Sequence, residues 1–216
     1  MITDAPKLLG NPLVKVERMH QLRERHITPL TDFVETLRQE TGLNAGIPYF
    51  DPWDGGVDAT VLLLLEAPGS MAVSSGFISQ NNPDETAKNL FELLQEAGIE
   101  RNKTVIWNVV PWYIGNGTKI RAATPFDLLE GLKPLHRLMK LLPKVTTIVL
   151  LGRKAENART HFNSEKYRVF TSPHPSPLFV NNAPGNREKL LSVFLQVCEH
   201  IDSQDARTEF LSAPLS

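Results

Sequence analysis

The sequence predicts an α/β fold, a three-layer α/β/α sandwich around a central, mostly parallel sheet of four strands. Four short runs rich in apolar residues suit buried strands, since strands covered on both faces lose the usual polar alternation. Helical patterns separate these runs, and strands alternating with helices favour a parallel sheet with right-handed crossovers. The length of 216 residues and the 41% hydrophobic content suit one domain with a sizeable core.

The first half of the chain contains two predicted helices and two predicted strands. Apolar residues between Leu22 and Arg38 recur at helical spacing, and Thr28-Pro29 suits the start of a helix. Residues 41–58, rich in Gly, Pro, Asp and aromatic residues, predict a structured loop before the first strand. We expect strands at 60–65 and 104–110, with a helix between them from about 84 to 97.

The second half repeats this alternation. A helix is expected over residues 124–141 with a kink at Pro134, followed by a third strand at 146–151 and a short helix opening at Gly152. The last predicted strand, 167–171, leads into a proline-rich loop, and an amphipathic helix follows from Asn186 to His200.

The domain organisation follows from these elements. Residues 1–58 are expected to form a helical and loop extension packed on the same domain, and 59–201 to form the α/β domain itself. Residues 202–216 are polar, and we expect them to fray as a C-terminal tail.

Composition restricts the possible functions. The formal net charge of −1 gives no overall attraction to nucleic acid, so DNA binding would depend on local clusters such as Lys15–Arg25 and Arg153–Arg168. Glutamates interrupt both clusters, and ordinary solvated faces are the alternative interpretation. A single cysteine, Cys198, argues against a disulfide, a thiolate zinc site or a cysteine-held iron–sulfur cluster. No apolar run approaches the ~20 residues that cross a bilayer. We expect a cytoplasmic monomer without metal or cofactor.

Three of the predicted strands end in unusual loops, Glu66–Ser70, Asn108–Tyr113 and Ser172–Leu178. Ligands of open parallel sheets bind beyond the carboxyl ends of the strands, and these ends share one edge of the sheet. The three loops are therefore predicted to converge on one site.

The third loop contains three prolines around one histidine. Proline fixes its own φ and restrains the residue before it, so His174 and Ser176 are predicted to be extended. A histidine aimed in this way suits chemistry or recognition, whereas capping of the loop backbone is the structural alternative.

These loops resemble three motifs of the uracil-DNA glycosylase superfamily. His174-Pro175-Ser176-Pro177-Leu178 resembles its histidine and leucine-wedge loop, and Glu66-Ala67-Pro68-Gly69 resembles the first motif of its iron–sulfur branch. Asn108 ends a strand as the base-reading asparagine does. The resemblance covers roughly residues 60 to 200. It implies a DNA-repair glycosylase that flips uracil or a related deaminated base out of DNA and hydrolyses its N-glycosidic bond.

The resemblance also implies roles for individual residues. His174 would donate a hydrogen bond to O2 of the departing uracil, an interaction worth ~3 kcal/mol in the transition state. Asn108 would complement the uracil edge at O4 and N3, the alternative being a buried amide paired with a backbone carbonyl. Backbone amides of Ala67 and Gly69 would bind the base carbonyl.

Three further residues would engage the base and the DNA. Phe77 would stack on the extruded base, although an ordinary core position is an equal alternative. Leu178 would enter the duplex and fill the gap left by the flipped nucleotide, and Ser176 would contact DNA from the same loop. An isolated exposed leucine is the alternative for Leu178.

The first motif departs from the best-known branch at two positions. Ala67 stands where that branch carries a water-positioning aspartate, so water activation would pass to Glu66, to another group or to solvent. Gly69 stands where the same branch carries a tyrosine that excludes thymine, and the cluster cysteines of the iron–sulfur branch are absent. A non-catalytic DNA-binding homologue is therefore an alternative. A hydrolase of free nucleosides or nucleotides is a third, and it would require a closed pocket with Leu178 buried.

Overall fold

The computed structural model describes residues 2–42, 46–116 and 120–212, with side chains as far as residue 206. The strands, in chain order, are β1 (Tyr49–Phe50), β2 (Val61–Leu65), β3 (Phe77–Ile78), β4 (Thr104–Asn108), β5 (Thr147–Leu151) and β6 (Arg168–Ser172). Four of them form a fully parallel sheet in the order β4-β2-β5-β6, and β1 pairs with β3 in a small parallel sheet of its own.

The helices, in chain order, are α1 (Pro12–His20), α2 (Thr28–Thr41), α3 (Ser70–Ser75), α4 (Glu85–Glu96), α5 (Pro125–Leu141), α6 (Arg153–Glu156), α7 (Pro177–Val180) and α8 (Asn186–Ser212). Capping side chains determine where two of them begin. The Asp84 carboxylate accepts the Ala87 N–H at 2.9 Å, and Thr124 forms a capping box with Asp127 immediately before Pro125.

The connections place helices on both faces of the sheet. The chain passes from β2 through α4 to β4 on one side, and then through α5 to β5 on the other side of β2. Right-handed crossovers that run in opposite directions cover opposite faces. In agreement with this, α4 packs with α8, and α5 packs with α2. The predicted three-layer α/β sandwich is confirmed.

The C-terminal helix is longer than predicted. We expected α8 to end at His200 and the residues from 202 onward to fray, but the helix continues to Ser212. Contacts of the described residues help to hold this extension: the Thr146 hydroxyl donates to Gln204 at 2.8 Å, and Lys103 pairs with Asp205 at 2.7 Å. These contacts attach the polar segment to residues that directly precede β4 and β5, at the amino ends of the two strands.

Buried charges join the N-terminal region to the rest of the fold. We call Asp4, Arg18, Asp51, Asp54 and Arg101 the N-terminal ion cluster. Arg18 binds Asp51, and Arg101 reaches Asp4, Asp51 and Asp54, each at 2.8 Å. Asp51 also accepts the hydroxyl of Ser79. The cluster fixes the loop after β3 against the N-terminal segment.

Neither a membrane-spanning helix nor a metal-binding group of side chains is found among the described residues. No helix in those ranges has both the length and the apolar character required to cross a bilayer. Within the same ranges, no group of three or more His, Cys, Asp or Glu side chains is arranged to hold a metal ion.

Candidate active site

A cavity of about 420 Å³ lies at the carboxyl ends of β2 and β4. The cavity therefore lies at the carboxyl edge of the parallel sheet, which is where open parallel sheets bind ligands. Glu66, Ala67, Gly69, Asn108 and His174 all line the cavity. The three strand-end loops thus converge on one space.

His174 is a largely buried imidazole at this cavity. Burial lowers the pKa of His174, while the negative charges of Glu66 and Asp84 act in the opposite direction and do not overcome it. The ring makes no hydrogen bond within the described residues. The imidazole is therefore neutral at neutral pH and keeps an N–H to donate to a ligand.

Gly152 packs against the side chain of His174. It follows β5 with φ +92°, and a Cβ placed on it would lie 3.1 Å from the His174 Cβ and 3.4 Å from its Cδ2. Its N–H donates to the Ser172 carbonyl at 2.8 Å. Only glycine combines this backbone conformation with so close an approach. The sequence showed a glycine at a strand end but not the histidine packed on it.

The proline loop has the extended geometry predicted for Ser176, with φ −69° and ψ 150°. The Ser176 hydroxyl accepts the Phe179 N–H at 3.3 Å, so α7 begins at Pro177. Asn89 of α4 anchors the loop by donating to the Pro175 carbonyl at 2.9 Å. Leu178, in the first turn of α7, is 82% exposed.

Glu66 reaches the cavity directly after β2. Its Oε1 accepts the backbone N–H of Ala123 at 2.5 Å. Its second oxygen makes no hydrogen bond within the described residues, and none of the basic side chains described there pairs with it. One carboxylate oxygen is thus held in place while the other is available to a ligand or a water molecule.

Asn108 ends β4 directly opposite Leu65 and is only 3% exposed. In the part of the chain that the structure describes, its amide makes no hydrogen bond. The structural alternative, a backbone carbonyl partner, is therefore absent from these ranges. A buried amide without a partner costs ~1–3 kcal/mol. The amide's donor and acceptor are both available at the cavity.

Gly69 has an ordinary backbone conformation, φ −78° and ψ 169°, at the start of α3. No atom lies within 4 Å of where its Cβ would be. Gly69 therefore leaves the cavity open at this position, near the backbone of Ala67.

Phe77 does not lie in this cavity, contrary to the stacking role implied by the resemblance. It is fully buried in β3 and packs with Leu9, Val14 and Leu22, an apolar cluster below α1. Successive strand residues face opposite sides, so Ile78 lines the cavity in its place. The described residues that line the cavity include no Phe, Tyr or Trp.

Two charged residues at the cavity were missed from the sequence. Asp84 lines it while capping α4, and its charge acts on His174. Arg121 lines it while pairing with Asp127 at 2.6 and 2.9 Å. An aspartate before a helical pattern predicts a cap, but nothing in the sequence placed that cap beside His174.

Comparison with known proteins gives the family. Residues 52–197 match the model of the uracil DNA glycosylase superfamily. Similar solved structures include a candidate uracil DNA glycosylase from Methanosarcina acetivorans, with 20% identity, TM-score 0.45 and coverage of 66% of this chain and 92% of that one. Mimivirus uracil-DNA glycosylase has 15% identity, TM-score 0.45 and coverage of 84% and 79%. No curated protein matches the chain. The family match spans most of the sequence, and the chain belongs to the uracil DNA glycosylase superfamily.

Proposed function

We propose that this protein excises uracil, or a related deaminated base, from DNA by hydrolysing the N-glycosidic bond and leaving an abasic site. One observation carries the proposal. His174 and Asn108, both largely buried, face one cavity, and neither side chain makes a hydrogen bond within the described residues. Such groups are retained at a cost in stability when they serve a ligand. Membership of the superfamily supports the same reaction class.

The neutral imidazole of His174 suits stabilisation of the leaving group. When the bond between N1 of the base and C1′ of the sugar breaks, its electron pair stays on the base and negative charge develops at O2. An N–H aimed at that oxygen is worth ~3 kcal/mol in the transition state and requires no covalent bond to the enzyme.

The amide of Asn108 suits recognition of uracil. Its NH₂ donates to O4 and its oxygen accepts the N3–H, a pattern that cytosine, with an amino group at C4 and no proton at N3, does not match. Aliphatic side chains and the open space at Gly69 line the same cavity and leave room for a base.

Two carboxylates are placed to activate the attacking water. Glu66 has one oxygen bound to the Ala123 N–H and one available, and Asp84 faces the same cavity from the start of α4. A carboxylate within hydrogen-bond reach can accept the proton of water as it attacks C1′. Ala67 carries no such group.

The proline loop suits engagement of the DNA strand. Leu178, 82% exposed on a loop anchored by Asn89, can occupy the space vacated by the flipped nucleotide. The Ser176 hydroxyl accepts the Phe179 N–H and so keeps its own O–H for a phosphate oxygen. Hydrolysis of free nucleosides required a buried Leu178, which the structure does not have.

The test uses oligonucleotides that carry a single uracil, in single and double strands, with a cytosine oligonucleotide as the control. We expect alkali-labile breaks at uracil and none at cytosine. Comparison of Glu66→Gln with Asp84→Asn assigns the water-activating carboxylate, which is the one whose loss abolishes cleavage while DNA binding persists. Binding by the wild type without cleavage would favour a non-catalytic homologue. If the wild type neither binds nor cleaves these oligonucleotides, the proposal is overturned.

A further inference from the structure

Arg121 is the basic residue at the rim of the cavity. Among the described residues that line this space, it alone carries a positive charge, whereas Glu66 and Asp84 are acidic. A DNA strand brought to this mouth would meet two carboxylates, which repel its phosphates. A compensating cation is therefore required if a nucleotide is to enter.

The Arg121 guanidinium is oriented by the protein but not fully used by it. Its two terminal nitrogens donate to Asp127 at 2.6 and 2.9 Å, and Nη1 also donates to the Ala122 carbonyl at 3.2 Å. The side fork, formed by Nε–H and the second N–H of Nη2, makes no hydrogen bond within the described residues. The side chain is 52% exposed, so this fork is accessible.

The residues that follow Arg121 connect it to Glu66 and to Lys154. The neighbouring Ala123 donates its N–H to Glu66 and accepts from the ammonium of Lys154 at 2.7 Å. Lys154 and the exposed Arg153 directly follow Gly152, on which His174 packs. Lys154 thus lies beside the segment that carries Arg121, and the exposed Arg153 precedes it in the chain.

A guanidinium fork matches the geometry of a phosphate group, which accepts two parallel N–H bonds. When a base enters the cavity, the phosphates attached to its sugar come to the cavity mouth. We infer that Arg121 is a DNA-positioning residue that binds a backbone phosphate beside the flipped nucleotide through this free fork. Asp127 sets the orientation of the guanidinium and offsets part of its charge. The inference rests on the proposed function and adds a contact outside the motifs that carry the family resemblance.

The two partners should therefore have opposite effects on DNA binding. Loss of Arg121 removes one phosphate contact. Loss of the Asp127 charge removes a carboxylate that competes with phosphate for the same guanidinium. A purely structural pair would show the same sign for both changes, because either one breaks the pair.

The experiment measures Kd by fluorescence anisotropy on a single-stranded oligonucleotide carrying 2′-fluoro-2′-deoxyuridine, which resists hydrolysis, over a range of salt concentrations. For Arg121→Gln we expect about fivefold weaker binding. The slope of log K against log salt should become shallower by about 0.7. Asp127→Asn should tighten binding. The matched control is Arg137→Gln, an exposed arginine that pairs with Glu40 and lies in α5, twelve residues and about 18 Å by helical rise beyond Pro125.

Each outcome separates this inference from the proposed function. If the wild type cleaves uracil DNA but Arg121→Gln keeps the wild-type salt slope, the inference fails and the function stands. If Arg121→Gln and Asp127→Asn weaken binding alike, with a common loss of thermal stability, the pair is structural. If the wild type binds this oligonucleotide without cleaving uracil, a shallower slope for Arg121→Gln still supports the phosphate contact. Absence of binding by the wild type would overturn both.

Discussion

The cavity and the N-terminal ion cluster both bury polar side chains, but they treat them in opposite ways. In the cluster, Asp51 accepts from Arg18, from Arg101 at 2.8 Å, from Ser79 and from the Trp53 N–H at 2.9 Å. In the cavity, Asn108 and His174 make no hydrogen bond in the described part of the chain. The first region pairs its buried charges within the protein, with Nε of Arg18 the one cluster atom left buried without a partner in the described residues, and the second leaves its amide and imidazole for something else.

Electrostatics separates Asp51 of the cluster from His174 of the cavity in the same way, although burial is the larger influence at Asp54 and raises its pKa to about 7. Burial acts to raise the pKa of Asp51, but the charges of Arg101 and Arg18 outweigh it and hold the pKa below the ordinary value. At His174, burial is the larger influence and the pKa falls, because no partner holds the charged form. Buried charge stabilised by partners indicates architecture, whereas a neutral donor at a cavity indicates chemistry.

The largest expected effect on stability is in the ion cluster. Asp51→Ala leaves the buried guanidinium of Arg18 without its carboxylate and weakens the set of partners of Arg101. We expect the free energy of unfolding to fall by about 3–5 kcal/mol, measured by urea denaturation. Asp58→Ala, which breaks an exposed pair with Lys144, is the control and should cause no measurable change. A small effect of Asp51→Ala would remove the contrast between the regions.

Asn108→Leu should reduce activity and not stability, in contrast to Asp51→Ala. It replaces a buried amide that lacks a protein partner with an apolar side chain of similar size. We expect the free energy of unfolding to stay within about 1 kcal/mol of the wild type or to rise. Excision of uracil should fall by about a hundredfold, because nothing then reads the base edge. Strong destabilisation together with normal excision would reassign Asn108 to the architecture.

Gly152→Ala tests how the fold aims His174. Strain at φ +92° and the close approach to the His174 Cβ should together cost about 1–3 kcal/mol of stability. Displacement of the imidazole should slow excision about tenfold. Gly42→Ala is the matched control, since Gly42 has φ +68° but no neighbour within 4 Å of its Cβ position. Gly42→Ala should lose stability through the same kind of backbone strain and should leave the rate of excision unchanged.

The pH dependence is the smallest expected effect. The folded pKa of His174 lies below its unfolded value of about 6.5, so the unfolded chain binds the proton more readily. The stability associated with the neutral ring is fully present above pH ~6.5 and is lost as pH falls from that value through the lower pKa of the folded protein. Between pH 7.5 and 5, the free energy of unfolding of His174→Ala should decline less than that of the wild type. Equal declines would contradict the lowered pKa.

Much of the fold followed from the sequence because its signals are local. Apolar runs marked the four main strands within two residues at each end, and Asp84 and Thr124 marked helix starts by capping chemistry. The small β1–β3 sheet was missed since two-residue strands carry no periodicity. The extension of α8 was missed since the sequence does not show the contacts that Gln204 and Asp205 make with distant residues.

The candidate site was predictable where motif and strand end coincide. His174, Asn108, Glu66, Ala67 and Gly69 all reach the cavity, because parallel strands deliver their carboxyl ends to one edge. Phe77 was wrong as a stacking residue since the parity of a strand decides which face a side chain takes, and β3 was not recognised as a strand. Asp84 and Arg121 were missed because only tertiary structure brings them to the cavity.

The most direct test of the central claim, that the cavity keeps His174 for chemistry rather than stability, is the single-turnover rate of uracil excision by His174→Ala beside its unfolding free energy. His20→Ala, an exposed histidine on α1, is the control. We predict that excision falls by about a hundredfold or more, while the free energy of unfolding stays within about 1 kcal/mol of the wild type. Full retention of excision by His174→Ala would contradict the account.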